Sequence, residues 1–122
     1  MRMTDEEYFR SCIAKERQLA HLLGHHNIEE LYESAGTLWA GNKALPKWTR
    51  DWKACGQLLA QYELPVAFIK EAGQEHSTSV QIGNIKICLT DHPNAERAIM
   101  FGIVKAVISS LEHHKNHKTA QA

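Results

Sequence analysis

The sequence predicts a small α+β domain in which a long C-terminal helix packs on a three-stranded antiparallel sheet. Three observations predict this class: a capping box near the N-terminus, a β-hairpin pattern centred on Gly83-Asn84, and an apolar helical pattern from Ala95 to Leu111. A chain of 122 residues has room for one hydrophobic core but not for two ordinary domains. We therefore expect a single domain over residues 1–122.

The N-terminal segment, residues 4–36, has the pattern of a helical hairpin. The capping box Thr4-Asp5-Glu6-Glu7 predicts the start of a helix with one apolar face, and Gly24 predicts its end. A second capping pattern, Asn27-Ile28-Glu29-Glu30, predicts a short second helix that ends at Gly36. The apolar residues of this second helix are Ile28, Leu31, Tyr32 and Ala35.

Residues 48–111 have the order of an α-β-β-β-α unit. Thr49 can cap a helix whose large apolar residues recur at intervals of four and three, namely Trp48, Trp52, Cys55, Leu59 and Tyr62. A strand is predicted over residues 64–69, and a hairpin with a type II′ turn at Gly83-Asn84 follows it. The turn fixes the register, so the apolar residues share one face and the other face carries Gln81, Lys86 and Cys88.

The C-terminal helix has two apolar stripes, which leave little of its circumference polar. One stripe contains small residues that would let the helix approach the sheet closely. The other must be covered within the fold or by a second subunit, and we expect it to form a homodimer interface through Met100, Phe101, Val104, Ile108 and Leu111. Residues 112–122 have no apolar anchors, which predicts a loose tail.

Composition and charge exclude several classes of protein. Basic and acidic residues number 14 each, so the formal net charge is zero and direct binding of nucleic acid is not expected. No apolar stretch reaches the length of a membrane span, and the N-terminus has no apolar signal region. The three cysteines are widely spaced and expected to be reduced, so we expect a protein of the bacterial cytoplasm.

No catalytic, metal or cofactor site can be assigned from the sequence. It has neither a nucleophile elbow nor a phosphate-binding glycine loop, and Cys55 and Cys88 are most simply structural. The histidine groups have chelating spacings but lack a nearby acidic ligand, so we interpret them as surface residues: His21, His25 and His26, and His113, His114 and His117. A metal-dependent enzyme remains an alternative, with ligands His21, His25 and His92.

The chain concentrates basic and aromatic side chains in one segment. The residues of this candidate binding surface are Trp39, Lys43, Lys47, Trp48, Arg50, Trp52 and Lys53. Aromatic and arginine side chains are enriched at binding hot spots, and the same combination could hold a nucleotide-like small molecule. The structural alternative is that the tryptophans are buried and the lysines are ordinary solvated residues.

From Trp48 onward the order of motifs resembles the phage "ABA sandwich" domain family. The similar features are the aromatic entry Trp48-Thr49-Arg50-Asp51-Trp52, then Gly56-Gln57-Leu58-Leu59, a strand with a hairpin, and the block from Asp91 to Ile99 that opens the last helix. The resemblance implies a phage or prophage origin and carries over no catalytic residue. Our leading hypothesis is a non-enzymatic accessory protein that binds a host protein or nucleoprotein complex, such as a CRISPR nuclease, and inhibits it.

Overall fold

The computed structural model describes residues 4–31 and 35–121, and their side chains as far as His114. Within these ranges the chain forms three α-helices and two three-stranded antiparallel sheets, which confirms the α+β class. The elements are α1 (Asp5–Leu22), β1 (Ile28–Glu30), β2 (Leu38–Ala40), β3 (Lys43–Ala44), α2 (Trp52–Tyr62), β4 (Val66–Ile69), β5 (Ser79–Ile82), β6 (Ile85–Cys88) and α3 (Ala95–Gln121).

The first helix begins and ends at the predicted residues. The Thr4 side chain accepts a hydrogen bond from the Glu7 amide, and the Glu7 carboxylate accepts one from the Thr4 amide, which completes the capping box. At the other end Gly24 has a φ of +96°, and the amides of Gly24 and His25 donate to the carbonyls of His21 and Ala20. This is a Schellman motif, which satisfies the last carbonyls of the helix.

The prediction of a second helix in the N-terminal hairpin is wrong. Ile28–Glu30 forms strand β1, which pairs antiparallel with β2, and β2 pairs in turn with β3. The reason begins at Asn27, whose φ of +55° is incompatible with the extended backbone that an N-cap residue adopts. Glu30 does not reach back to a helix start, because its carboxylate binds Arg10 and the Gly36 amide. Tyr32, placed in that helix by its sequence pattern, lies outside the described residues.

The second sheet contains the predicted hairpin in the predicted register. β5 pairs with β6 so that Ile82 lies opposite Ile85 and Val80 opposite Ile87. Gly83 has a φ of +58° and Asn84 is not among the positive-φ residues, a combination typical of a type II′ turn. β4 pairs with the other side of β5, so the strand order is β4-β5-β6.

The second helix starts later than the tryptophan spacing predicts. α2 begins at Trp52, where the Asp51 side chain accepts a hydrogen bond from the Lys53 amide. Thr49 is therefore not the cap, and Trp48 precedes the helix in a turn. Asp51 displaces Thr49 because the hydroxyl of Thr49 is buried and donates to Glu16 instead.

The last helix is the centre of the core. A Cβ atom added to Gly102 would lie 2.7 Å from side-chain atoms of Ile82 and of Ile87, so the missing side chain allows α3 to contact the sheet directly. On its other sides α3 packs against α1 and α2. Its backbone stays helical to Gln121, beyond the predicted end at Leu111, because no glycine or proline interrupts the polar segment.

Candidate functional site

The structure divides the Trp39–Lys53 segment into buried and exposed parts. Trp48 is buried in the core, and Trp39 is half-buried on β2. Arg50 is largely covered and paired with a buried carboxylate. Of the candidate binding residues, Lys43, Lys47, Trp52 and Lys53 face solvent. The structural alternative of buried tryptophans and solvated lysines therefore holds for Trp48 and for the three lysines but not for Trp52.

Arg50 has a structural partner that sequence reasoning missed. Glu16 on α1 is only 1% exposed, and its Oε1 accepts a hydrogen bond of 2.6 Å from Nη2 of Arg50. Its Oε2 accepts from Nε of Arg50 and from both the amide and the hydroxyl of Thr49. A buried carboxylate with this many donors is well compensated for its lost hydration. Its sequence signal was a charged residue inside the apolar face of α1, one turn after Cys12.

The same arginine connects three parts of the chain. Nη2 of Arg50 also donates to the Gly36 carbonyl at 2.7 Å, and its guanidinium lies over the Phe9 ring, 5.6 Å from the centroid. Arg50 thus joins α1, the loop before β2 and the turn before α2. With Trp48 buried and Arg50 paired with Glu16, these two side chains are not open to the nucleotide-like molecule of the alternative hypothesis, which would be held by Trp39, Lys47, Trp48, Arg50 and Trp52.

The exposed part of the segment forms what we call the Trp52 surface, defined by Lys47, Trp52 and Lys53. Trp52 is the first residue of α2 and is 45% exposed. The amides of Arg50 and Asp51 donate to the Lys47 carbonyl, which folds Lys47 back toward the helix start. Both lysines are exposed, and Asp51 is used as the helix cap. The surface is therefore an apolar ring beside two solvated positive charges and the exposed carboxylate of Asp51, which caps the helix.

The prediction that the second apolar stripe of α3 forms a homodimer interface is wrong. Within a single chain Met100, Phe101, Val104 and Ile108 are already buried, and Leu111 is half-buried against the same core. α1 and α2 cover these side chains, because α3 lies between the sheet and the other two helices. The two apolar stripes thus reflect two contacts inside one fold, which was the alternative open from the sequence.

A second cluster missed from the sequence lies where α1 meets the start of α3. The Tyr8 hydroxyl is 2.6 Å from Nδ1 of His92, and both rings contact Phe101. The Arg97 guanidinium lies over the Tyr8 ring, and its Nη2 is 3.6 Å from Sγ of buried Cys12. A shallow cavity of about 250 Å³ opens beside them, lined by Asp5, Tyr8, Phe9, Pro93 and Arg97. The cluster depends on a contact between residues that are 84 positions apart in the chain, so no local sequence pattern predicts it.

Burial keeps both members of the Tyr8–His92 pair neutral. It raises the pKa of Tyr8, with a further rise from Cys12 and an opposing effect of Arg97. It lowers the pKa of His92 from its ordinary value; the charge of Asp91 opposes this shift, and Lys105 and Arg97 reinforce it. The phenol and the imidazole Nδ1 therefore form a hydrogen bond between two uncharged groups at neutral pH, and the tautomer of His92 sets its direction. The hydrogen bond connects α1 to the segment that leads into α3.

The lowered pKa of His92 predicts that acid weakens the fold. The unfolded chain binds the proton more tightly than the folded one, so this contribution is complete above pH 6.5 and is lost as pH falls toward the folded value. We expect the free energy of unfolding, measured by urea denaturation, to decrease between neutral pH and mildly acidic pH. His92→Gln, which does not titrate but keeps a hydrogen-bond acceptor, should show a smaller decrease; identical slopes would contradict this prediction.

The structure does not assemble the predicted histidine ligands. His21 is exposed at the C-terminal end of α1, whereas His92 is bonded to Tyr8 near the N-terminal end of the same helix. Among the residues whose side chains are described, 4–31 and 35–114, no group of three histidine, cysteine or acidic residues could hold a metal ion. The alternative of a metal site built on His21, His25 and His92 is therefore wrong. His117 lies among the residues whose side chains are not described.

None of the described helices has the length and apolar character needed to cross a membrane. No family model matches the chain, and comparisons with curated proteins and with solved structures also gave no match. The resemblance to the phage domain family therefore stays a prediction.

Proposed function

We propose that this protein is a non-enzymatic binding protein that attaches to a host macromolecule through the Trp52 surface. The observation that carries the proposal is the exposure of Trp52, which is 45% accessible although the chain buries another tryptophan, Trp48, almost completely. Exposing so large an apolar ring has no benefit for folding. Tryptophan is also one of the residue types that are enriched at the energetic centres of protein interfaces.

The support of Trp52 is rigid, which favours binding. The ring projects from the first turn of a capped helix, and the turn before it is held by the buried Trp48 and by the Glu16–Arg50 pair. A side chain on such a base loses little conformational freedom when a partner covers it. The Trp52 surface is thus preorganised.

The charges beside Trp52 indicate the chemistry of the partner. Lys47 and Lys53 are exposed, while the formal net charge of the whole chain is zero. Together with the exposed carboxylate of Asp51 the two lysines leave a net positive charge beside the apolar ring, which fits an apolar pocket bordered by carboxylates on a protein. We propose a partner of this kind in the bacterial cytoplasm, reached by a phage- or prophage-encoded accessory protein. A CRISPR nuclease is the first target to test.

The proposal predicts a large effect of a single substitution. Trp52→Ala should retain the fold, because the side chain is exposed, but should weaken partner binding by about 30-fold, as expected for a hot-spot tryptophan worth about 2 kcal/mol. Immobilised wild-type and variant proteins are compared for retention of partners from bacterial lysate, followed by titration with the purified partner. Tryptophan emission reports binding directly, and Trp52→Phe identifies the contribution of this ring.

The matched control is Gln57→Ala, an exposed position farther along α2, which should bind like the wild type. Equal retention by wild type and Trp52→Ala would refute the Trp52 surface. If nuclease treatment releases the captured partner and its purified protein component, free of nucleic acid, does not bind, the ligand is nucleic acid and a protein partner is refuted.

A further inference from the structure

Strand β4 is an edge strand with an unusually apolar free side. It pairs with β5 on one side, and within the described residues no strand lies on the other. Its sequence Val66-Ala67-Phe68-Ile69 has no charged residue. Val66 is 38% exposed and Phe68 is 59% exposed, the highest value among the large apolar residues described. Protein edges are normally protected from pairing by charges, prolines or bulges.

The hairpin register determines which backbone groups of β4 are free. The two-residue turn makes Ile82 and Ile85 a hydrogen-bonded pair, so the backbone groups of Ile82 and Val80 point toward β6. The backbone groups of Gln81 therefore point toward Ala67, and the Gly83 amide donates to the Pro65 carbonyl. The amides and carbonyls of Val66 and Phe68 consequently point away from the sheet. Pro65 faces β5, so its missing N–H does not block this free side.

The side chains of the free strand extend the apolar inner face of the sheet. Val66 lies opposite Ile82 and Phe68 opposite Val80, and both β5 residues are fully buried. Side chains that oppose each other in a sheet share a face, so Val66 and Phe68 lie on the face that α3 covers farther along. The helix does not cover them. Val66 and Phe68 therefore form an exposed apolar patch at the edge of the core.

We propose that this edge pairs antiparallel with β4 of a second copy of the chain, forming a homodimer with one continuous six-stranded sheet. With Ala67 opposite Ala67 on the two-fold axis, Val66 of each copy lies opposite Phe68 of the other. This register pairs all four outward amides with the four outward carbonyls, and it places apolar side chains against each other.

Charge is compatible with a second copy. Each chain is formally neutral, so two copies carry no net charge that would separate them. The strand itself has no charged residue, and the first ones outside it are Glu63 before it and Lys70 and Glu71 after it, all exposed. Antiparallel pairing places Glu63 of one copy at the same end as Lys70 and Glu71 of the other, where the lysine offsets one of the two carboxylates.

The contact area sets the strength of the dimer. A fully buried phenylalanine covers about 150–250 Å². Two copies of Phe68 and Val66 with their strand backbones therefore bury less than the roughly 1,200 Å² of a standard stable interface. The dimer is consequently weak and concentration-dependent, with dissociation in the range of about 100 μM.

Sedimentation velocity on the full chain tests the proposal. The mean mass should rise from that of one chain toward that of two between about 10 μM and 1 mM. Phe68→Lys should shift the half-dimer concentration at least about 10-fold upward, because the charge would face the apolar partner strand. The control Leu23→Lys changes an exposed apolar residue on another surface, 37% accessible at the end of α1, and should dimerise like the wild type. A wild-type chain that stays monomeric, or a dimer unaffected by Phe68→Lys, would overturn the proposal.

Disulfide cross-linking tests the register itself. In a Cys88→Ser background, which removes the exposed cysteine, Ala67→Cys should form a linked dimer on mild oxidation. Opposing residues of a non-hydrogen-bonded antiparallel pair lie about 4.5 Å apart at their Cα atoms, within disulfide range. Lys70→Cys is the control, since its two copies would lie about 20 Å apart. Equal cross-linking of the two variants would overturn the register and with it the proposed interface. Neither experiment depends on the host partner, so the outcome is independent of the proposed function.

Discussion

Arg50→Met is expected to destabilise the protein by about 3–5 kcal/mol, the usual effect of removing one partner from a buried ion pair. Glu16 would remain 1% exposed with a negative charge and without its guanidinium. A domain of this size has about 5–15 kcal/mol of stability in total, so the variant should unfold at a much lower denaturant concentration. Urea titration followed by circular dichroism measures the change.

Two further variants separate the buried charge from other causes. Glu16→Gln combined with Arg50→Met should recover part of the loss, because the amide oxygen still accepts from Thr49 but carries no charge. Arg10→Met breaks the more exposed ion pair, in which the Arg10 side chain is 53% exposed and the Glu30 side chain 15%, and should change stability far less than Arg50→Met. If Arg50→Met were as mild as Arg10→Met, the interpretation of the Glu16 site would be wrong.

Val104→Glu is expected to unfold the chain itself. If this stripe of α3 were a homodimer interface, Val104→Glu would separate the subunits without unfolding them, and only Ile103→Glu would unfold the protein. Both side chains are completely buried in one chain. Each glutamate would therefore lose its hydration with no partner to compensate, at a cost of several kcal/mol.

Ser110→Glu provides the control, because Ser110 is an exposed residue of the same helix and should tolerate the charge. Thermal unfolding and near-ultraviolet circular dichroism distinguish the outcomes. A folded, monomeric Val104→Glu protein would show that α1 and α2 do not cover α3 as described.

Local signals in the sequence predicted the elements that local interactions form. The capping box at Thr4 and the stop at Gly24 depend on residues within one or two turns. The hairpin at Gly83-Asn84 follows from a glycine at the turn and alternating apolar residues, and its register is correct. These features need no information from the rest of the chain.

The errors arise where contacts with distant parts of the chain determine the local conformation or the burial of a side chain. Ile28–Glu30 is only three residues long, and its extended conformation depends on pairing with Leu38–Ala40. The two stripes of α3 were visible, but periodicity alone does not identify what covers each stripe. Of the candidate binding residues, Trp52, Lys43, Lys47 and Lys53 remain exposed. Trp48 is structural because it is buried in the core. Arg50 is structural because it pairs with Glu16 of α1.

The contacts within each sheet join strands that follow each other in sequence. The contact between Tyr8 and His92, which connects α1 to the start of α3, joins residues that are 84 positions apart. Contacts between neighbours in the chain form early in folding, and distant ones require closure of a long loop. We therefore expect α1 to dock last. Interactions that form after the main barrier slow unfolding more than they speed folding. The contacts of α1 would then determine how long the folded molecule persists before it opens.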